Sequence, residues 1–406
     1  MGFDTIHKGA TGLLAFSRGL DSLSNNIANL NTPGFKRSDI LFRDLFYQYQ
    51  LTGDSGRETS TSQLGNGVST NGTFISFAQG DIQETGNGSD VAVNGNGFFI
   101  LRDEENTYFT RGGQFTFDEE GYLVSRALDA RVAGVDASGN LIDINLNDFR
   151  ASPATPTTEI TFVNNLSTGS TSHELTDVEV IDSLGESHNL KISFANNGAV
   201  TTGSWLVSIE DEDGTVLVAD QEIRFSGNGS PEAGFSTVNF VYQPDGGAVA
   251  TSVTLDFGTP GSFTGATSFS GGSTSTLAVD DQNGKAAGSL LDFRFRDDGT
   301  LELRYTNEET QDIAQLALGW FDQLQTLRQI GNGLFLAPTD IEVTISAPSE
   351  GIMGDIVGSS VEISNIELTQ EFTELIILQR GYQASSQVVT VANEMIQQLL
   401  DAGKGR

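Results

Sequence analysis

The two ends of this chain carry matching heptad patterns of apolar residues. Neither 4–31 nor 361–400 contains a proline. In both segments apolar residues recur seven positions apart, which is the period of a helix that packs lengthwise along another helix. These positions are Ile6, Leu13, Leu20 and Ile27 at the N-terminal end and Leu368, Leu375, Tyr382, Val389 and Ile396 at the C-terminal end. We therefore predict a coiled-coil-like core in which 1–36 pairs with 361–406, within one subunit and between neighbouring subunits.

A compact stop signal follows the first heptad segment. The run from Asn29 to Lys36 contains Pro33, which disfavours helix for the residue before it, and Gly34, which permits a left-handed turn. We expect this run to redirect the chain out of the helix and into 37–70. The residues assigned to shaping that turn are Asn29, Asn31, Gly34 and Phe35.

Charge and composition exclude several classes of function. The 406 residues carry a net charge of −33, from 54 acidic and 21 basic side chains. Binding to a nucleic-acid backbone or docking to an anionic membrane surface requires clustered basic residues, so neither is expected. The absence of cysteine excludes disulfides and thiolate metal sites. The first 20 residues lack the pattern of a cleaved signal peptide, so we expect any export to use a route that reads none.

The middle of the chain is typical of short β-strands. Its 47 glycines include many that fall in turn pairs between β-favouring runs. We predict a multidomain, mainly β chain with nested β domains. A split inner β domain covers 71–150 and 285–360, and 37–70 is a linker or bracing arm. An inserted acidic domain, a sandwich or barrel, covers 151–284, where residues 159–284 hold 17 acidic residues against Lys191 and Arg224.

The sequence contains only weak matches to catalytic or metal-binding motifs. The tetrapeptide Gly53–Gly56 matches the surroundings of a serine-protease nucleophile, but it lies in a polar stretch without the strands that such a site needs. His7, His173 and His188 lack metal-ligand spacing, and Glu210–Gly214 lacks the ligands that continue a calcium loop. We therefore predict no catalytic residue, no metal and no cofactor, and we interpret Glu210–Gly214 as a charged hairpin tip.

Five stretches resemble the flagellar rod and hook proteins. Ser22–Lys36 is similar to the N-terminal signature of that family, and Glu371–Gln387 is similar to its C-terminal signature. Gln79–Gly86 and Asp90–Phe99 resemble the shared β domain, while Val180–Leu190 resembles the segment that opens the outer domain of the hook members. The signature positions singled out here are Asn26, Asn29, Asn31, Thr32, Gly34, Phe35, Lys36, Gln379 and Arg380.

The resemblance implies a structural protein. Members of the hook branch assemble into a curved hollow tube, a flexible joint that transmits motor torque to the filament. They leave the cell through the flagellar type III pathway without cleavage. The implied partners are copies of the chain itself, the flagellar rod, the hook cap, the hook–filament junction proteins and the export apparatus. A distal rod subunit is the alternative within the family, and a secreted β-rich adhesin is the alternative from another class.

Overall fold

Two long terminal helices enclose a series of short strands in the computed structural model, which describes residues 2–52, 60–103, 106–136 and 138–404. The predicted class, mainly β with terminal helices that pack together, is confirmed. The helices are α1 (Gly2–Ala28) and α2 (Leu368–Lys404), and short 3₁₀ turns occur at Asn147–Phe149 and Leu324–Thr326. The strands are β1 (Ser38–Asp44), β2 (Tyr47–Thr52), β3 (Ser60–Gly65), β4 (Val68–Ile75), β5 (Ile82–Glu84), β6 (Val91–Asn94), β7 (Phe98–Arg102), β8 (Thr107–Thr110), β9 (Phe115–Phe117), β10 (Leu123–Ser125), β11 (Arg131–Val135), β12 (Leu141–Asp143), β13 (Ala151–Ser152), β14 (Glu159–Asn165), β15 (Ser172–Ile181), β16 (Ser187–Asn196), β17 (Ser204–Glu210), β18 (Val216–Arg224), β19 (Thr237–Tyr242), β20 (Thr251–Asp256), β21 (Ala266–Thr267), β22 (Ala278–Gln282), β23 (Gly288–Phe295), β24 (Thr300–Tyr305), β25 (Thr310–Leu316), β26 (Leu318–Trp320), β27 (Arg328–Gly331), β28 (Leu334–Leu336), β29 (Thr344–Ser346), β30 (Asp355–Gly358) and β31 (Ser360–Glu362).

The C-terminal helix begins at Leu368, the first of the predicted heptad positions, and not at residue 361, where the proline-free segment begins. Residues 360–362 form β31, which pairs antiparallel with β5 through Val361↔Gln83 and its neighbours. Val361 and Ile366 are 5% and 7% exposed, and Val361 is buried as part of β31. The segment 361–367 therefore belongs to a strand and a connection, and the expected helical domain 361–406 is helical only from Leu368.

The stretch 37–70 contains a two-stranded ribbon. β1 pairs antiparallel with β4, and β2 pairs antiparallel with β3. The composition of 52–62 is typical of a weakly structured linker because it is rich in Ser, Thr and Gly, but a backbone ladder needs no apolar side chains. Residues 53–59, which include the tetrapeptide Gly53–Gly56, lie outside the described residues.

The first of two compact units comprises residues 1–147, 293–302 and 312–406, and it contains both helices, the ribbon and a β core. In this core β7 pairs with β8, β11 and β26. The side chains that these strands and their neighbours bury include Phe98, Ile100, Phe109, Ala133, Phe321, Leu327 and Phe335. Unit 1 therefore joins chain ends that are distant in sequence to one β core.

The second compact unit comprises residues 148–292 and 303–311. It has a four-stranded antiparallel sheet, β15-β16-β17-β18, and a five-stranded sheet, β19-β20-β14-β21 with β22 beside β14. Phe162 and Leu255 from one sheet and Phe194 and Trp205 from the other share a single apolar core. This arrangement is a β-sandwich. The unit starts before and ends after the inserted domain 151–284 that the composition suggests.

Candidate assembly site at the terminal helices

The two terminal helices pack against each other in antiparallel directions. They approach closely because glycines on α1 have no side chains that would separate them. A Cβ added to Gly9 would lie 2.6 Å from Val389 Cγ2, and one added to Gly12 would lie 2.7 Å from Ser385 Oγ. Residue numbers rise along α1 as they fall along α2, which gives the antiparallel direction. A larger residue at either position would force the facing side chain or the helix backbone to shift.

The close contact continues toward the end of α1, where α2 also contributes a glycine. Phe16 packs on Gly381, where an added Cβ would lie 2.5 Å from the ring, and Gly19 lies against Leu378. Ala15 and Leu23 are buried on the same helix. A search for large apolar heptad residues misses this stripe because glycine carries no hydrophobic signal. Its sequence signature is small residues three, four or seven apart.

The predicted heptad residues mostly flank this contact. Seven of the nine are half-buried: Ile6, Leu13, Leu20, Ile27, Leu375, Val389 and Ile396. Leu368 and Tyr382 are 43% and 42% exposed. The pairing of the two terminal segments is thus present within one chain, while the assignment of these nine side chains to a core between subunits stays a prediction.

Large apolar side chains are exposed along α2, on the sides that α1 does not cover. Ile376, Ile377 and Leu399 are 57%, 60% and 73% exposed. The set also includes Phe372, Val388, Val391, Met395 and Leu400. A helix that is apolar on more sides than one neighbour can cover is typical of an interaction surface. We call this set the α2 apolar face.

Asn26 ties the end of α1 to β1 and to the start of α2. Its amide Nδ2 donates to the Ser38 carbonyl over 3.1 Å and to Glu371 Oε2 over 3.3 Å, and its Oδ1 accepts from the Ser38 N–H over 3.1 Å. Burial raises the pKa of Glu371, and the Asn26 hydrogen bond and the charge of Arg37 oppose that rise. One signature residue therefore holds three elements together.

The asparagines that follow build the helix end. Asn29 Nδ2 donates to the Asn25 carbonyl over 2.9 Å, and the Thr32 hydroxyl donates to Asn29 Oδ1 over 3.2 Å. The first contact adds a side-chain donor to a carbonyl of the last helical turn, and the second links that side chain to the turn that follows. Asn31 is exposed. Side-chain hydrogen bonds of Asn29 and Thr32 thus support their predicted role in the turn.

Gly34 and Phe35 bring the chain onto the β core. Gly34 has φ +70°, and a Cβ there would collide with the Gly112 backbone nitrogen. Its N–H donates to the Glu362 carbonyl over 2.8 Å, and Phe35 is 5% exposed. A glycine is required here by the backbone conformation and by the close approach of a second backbone.

Lys36 ends the signature in a buried group of charges. Its Nζ lies 2.6 Å from Glu362 Oε1, and Arg111 Nε lies 2.9 Å from Glu362 Oε2. The three side chains are 1%, 0% and 5% exposed. Burial lowers the pKa of both Lys36 and Arg111, and the Glu362 carboxylate opposes that effect. We call Lys36, Glu362 and Arg111 the charge clasp. The remaining signature positions, Gln379 and Arg380, are exposed on α2.

Unit 2 contains two acidic groups of the residue types that can bind a metal ion. Asp182, Glu186 and His188 place their ligand atoms within 4.8 Å of one another. Asp182 Oδ1 accepts from two backbone N–H groups of its own turn, at Leu184 and Glu186, so its geometry is that of a turn that closes on itself. Glu210–Gly214 joins β17 to β18, which confirms the hairpin interpretation.

Four family models match successive parts of the chain. "Flagella basal body rod protein" matches 6–36, and "Flagellar hook protein FlgE/F/G D1 domain" matches 92–161. "Flagellar basal body protein FlaE D2 domain" matches 145–317, and "Flagellar basal body rod FlgEFG protein C-terminal" matches 357–402. The first and last of these models therefore cover the turn after α1 and most of α2, where the close contacts described above occur. No helix in the described part of the chain is long and apolar enough to cross a bilayer.

Similar proteins align over nearly the whole chain. The flagellar hook protein FlgE of Treponema pallidum is 27% identical, with 98% of each chain covered. FlgE of Escherichia coli is 27% identical, covering 96% of this chain and 98% of its own. FlgE of Salmonella typhimurium is 28% identical, covering 98% of this chain and 99% of its own. With its terminal helices, its β core and its inserted sandwich all matched, this chain belongs to the flagellar rod and hook protein family.

Proposed function

We propose that the chain is a structural subunit that assembles with copies of itself into the flagellar hook, the curved tube that joins the motor to the filament. The observation that carries the proposal is the near full-length alignment to hook proteins, which runs through the inserted sandwich as well as the ends. The subunit acts outside the cell in the hook after export through the flagellar type III pathway.

The terminal helices supply the inner core of the tube. The α2 apolar face supports this role because Ile377 and Leu399 are too exposed to be explained by packing inside one chain. A helix of 37 residues is about 55 Å long at 1.5 Å per residue, which is enough to contact several neighbouring subunits. The predicted core residues Leu375, Val389 and Ile396 would lie between α2 and its neighbours.

The acidic sandwich forms the outer part of the tube and tunes its curvature. Its 17 acidic residues against two basic ones over 159–284 make contacts between copies polar and weak. Contacts of that kind rearrange more readily than a packed apolar core, so a tube can bend by sliding them. The ribbon in 37–70 braces adjacent subunits.

The other partners follow from the family. The rod would receive the first subunits, the cap would cover the growing end, and junction proteins would connect the finished hook to the filament. The role is structural, and no catalytic step is assigned to the chain. A distal rod subunit is less well supported because the full-length relatives named above are hook proteins.

Electron microscopy of appendages sheared from cells that produce the chain tests this proposal. An antibody against the sandwich of unit 2 should decorate short curved tubes between the basal body and the filament. Decoration of straight rods would make the chain a rod subunit, and decoration of the cell surface away from flagella would make it an adhesin. Cells that express the chain without 151–284 should make hooks of altered curvature and swim poorly, and normal hooks would remove the proposed role of the sandwich.

A further inference from the structure

The charge clasp lies where both helices are attached to the β core. Lys36 comes just after the turn that ends α1, and Glu362 is the last residue of β31, ahead of α2. Arg111 follows β8, which belongs to the β core. Lys36 and Glu362 are 326 positions apart in the sequence. The clasp therefore connects the two chain ends to each other and to the β core at a single point.

Glu362 is the centre of the clasp because all three of its oxygens accept hydrogen bonds. Oε1 accepts from Lys36 Nζ over 2.6 Å and from the Gly80 N–H over 2.7 Å, and Oε2 accepts from Arg111 Nε over 2.9 Å. Its backbone oxygen accepts the Gly34 N–H over 2.8 Å. Four chain segments thus meet on one buried residue.

The two cations also donate hydrogen bonds to backbone carbonyls. Lys36 Nζ donates to the Ala78 carbonyl over 2.8 Å. Arg111 donates through its two terminal nitrogens to the carbonyls of Gly95 and Gly97. Two buried cations share one carboxylate, so loss of that carboxylate leaves both without a counter-charge. An uncompensated buried charge is far more destabilising than the loss of an ordinary hydrogen bond.

We propose that Glu362 is the positioning residue that fixes the turn after α1 and the start of α2 on the β core. In this role its negative charge, and not only its shape, sets where the helix pair is held. Because Glu362 lies near the C-terminal end, the N-terminal turn can lock only after that end has folded beside it. The inference concerns the single chain and does not depend on assembly into a tube.

Hydrogen–deuterium exchange of the purified full-length chain tests this proposal. In Glu362→Gln the amides of 30–40 and 76–84 should exchange at least tenfold faster than in the wild type. Peptides from the sandwich of unit 2 should exchange at the wild-type rate. The control is Glu374→Gln, which removes a carboxylate that lies 4.0 Å from Arg37 and is 39% exposed, and it should change neither region.

A second substitution separates charge from packing. Lys36→Met removes one of the two cations, so the double variant Lys36→Met, Glu362→Gln should regain at least part of the protection that Glu362→Gln loses. If Glu362 only filled space, the second substitution would add a further loss. The proposal is overturned if Glu362→Gln exchanges like the wild type, or if the double variant is less protected than Glu362→Gln. The double variant decides the outcome even where Glu362→Gln unfolds all of unit 1.

Discussion

The sandwich of unit 2 and the terminal helix pair of unit 1 handle their apolar residues in opposite ways. In the core of the sandwich Trp205, Phe162 and Phe257 are each 1% exposed, while Phe263 and Phe269 elsewhere in unit 2 are 55% and 46% exposed. On α2, Ile377 and Leu399 are 60% and 73% exposed. The sandwich has a closed apolar core within a single chain, whereas the large apolar side chains along α2 are covered on one side only. The difference indicates that further copies of the chain complete the helix pair.

Charge divides the same two regions. The first 50 residues hold five basic and four acidic side chains, which leaves little repulsion between copies that pack side by side. Residues 159–284 are strongly acidic, and like charges on neighbouring copies repel and stay hydrated. Under the proposed function, copies of the subunit would bind one another through the helix pair and repel one another through the sandwich.

The largest effect should follow from placing charge on the α2 apolar face. The double variant Ile376→Asp, Leu399→Asp should abolish polymer, because each carboxylate would be buried against a neighbouring copy. The single chain should keep its stability within about 0.5 kcal/mol, since both positions are exposed in it. Sedimentation measures the polymer and thermal unfolding measures the chain. As the matched control, Leu184→Asp on unit 2, where Leu184 is 63% exposed, should still give polymer.

Truncation of a side chain in the sandwich core should have the opposite effect, because it should lower the stability of the single chain. Phe162→Ala removes a ring that stacks on Phe257 at 4.8 Å between centroids, and the loss should be ~3–5 kcal/mol of unfolding free energy. Urea unfolding followed by tryptophan fluorescence measures it, in a Trp320→Phe background that leaves Trp205 as the single indole. Val241→Ala, an exposed site on β19, is the control. Equal losses for the two variants would contradict a sandwich that is complete by itself.

Long-range periodicity made the helix pair predictable from the sequence. Heptad spacing and the stop at Pro33 and Gly34 predict two terminal helices that pair, and the family signatures mark the residues of the turn. The heptad positions begin at Leu368, where α2 begins, but the proline-free segment extends back to Val361, which is buried in a strand and not in a helix. Local spacing cannot distinguish these two causes of burial.

Two contacts of the site were beyond the reach of pattern reasoning. The stripe of Gly9 and Gly12 is a contact made by missing side chains, which a hydrophobic pattern does not register. The charge clasp joins Lys36, Arg111 and Glu362 from three distant segments, and each of them reads in the sequence as an ordinary surface charge. Only the topology that pairs β31 with β5 brings them together.

Substitution of a glycine between α1 and α2 tests the packing of the helix pair, with a smaller expected effect. Gly9→Ala should loosen the helix pair by about 1–3 kcal/mol, because its methyl group would collide with Val389, whose rotamers are restricted, and a gain of about 1 kcal/mol in helix propensity offsets part of that loss. Hydrogen exchange of α1 peptides measures this loss. Ala10→Gly on the exposed side of the same helix is the control for helix propensity and should cost about 1 kcal/mol. Unchanged exchange in Gly9→Ala would mean that the helices do not approach as closely as described.

The smallest effect concerns pH at the start of α2. The pKa of Glu371 is raised by burial, so between its ordinary value of 4.5 and the raised value the folded chain binds more protons than the unfolded chain. The contribution of this group is therefore fully present below pH 4.5 and is lost as the pH rises through the folded pKa. Glu371→Gln should remove this dependence from α2 exchange rates measured between pH 4 and neutrality, and a persisting dependence would assign it to another group.

Cysteine labelling tests the central claim, that copies of the chain cover the α2 apolar face, most directly. The chain has no cysteine, so Ile377→Cys introduces a single thiol at a position that is 60% exposed. A maleimide should label it readily in the single chain and at least tenfold more slowly in the assembled tube. Equal labelling rates in the chain and the tube would contradict the account.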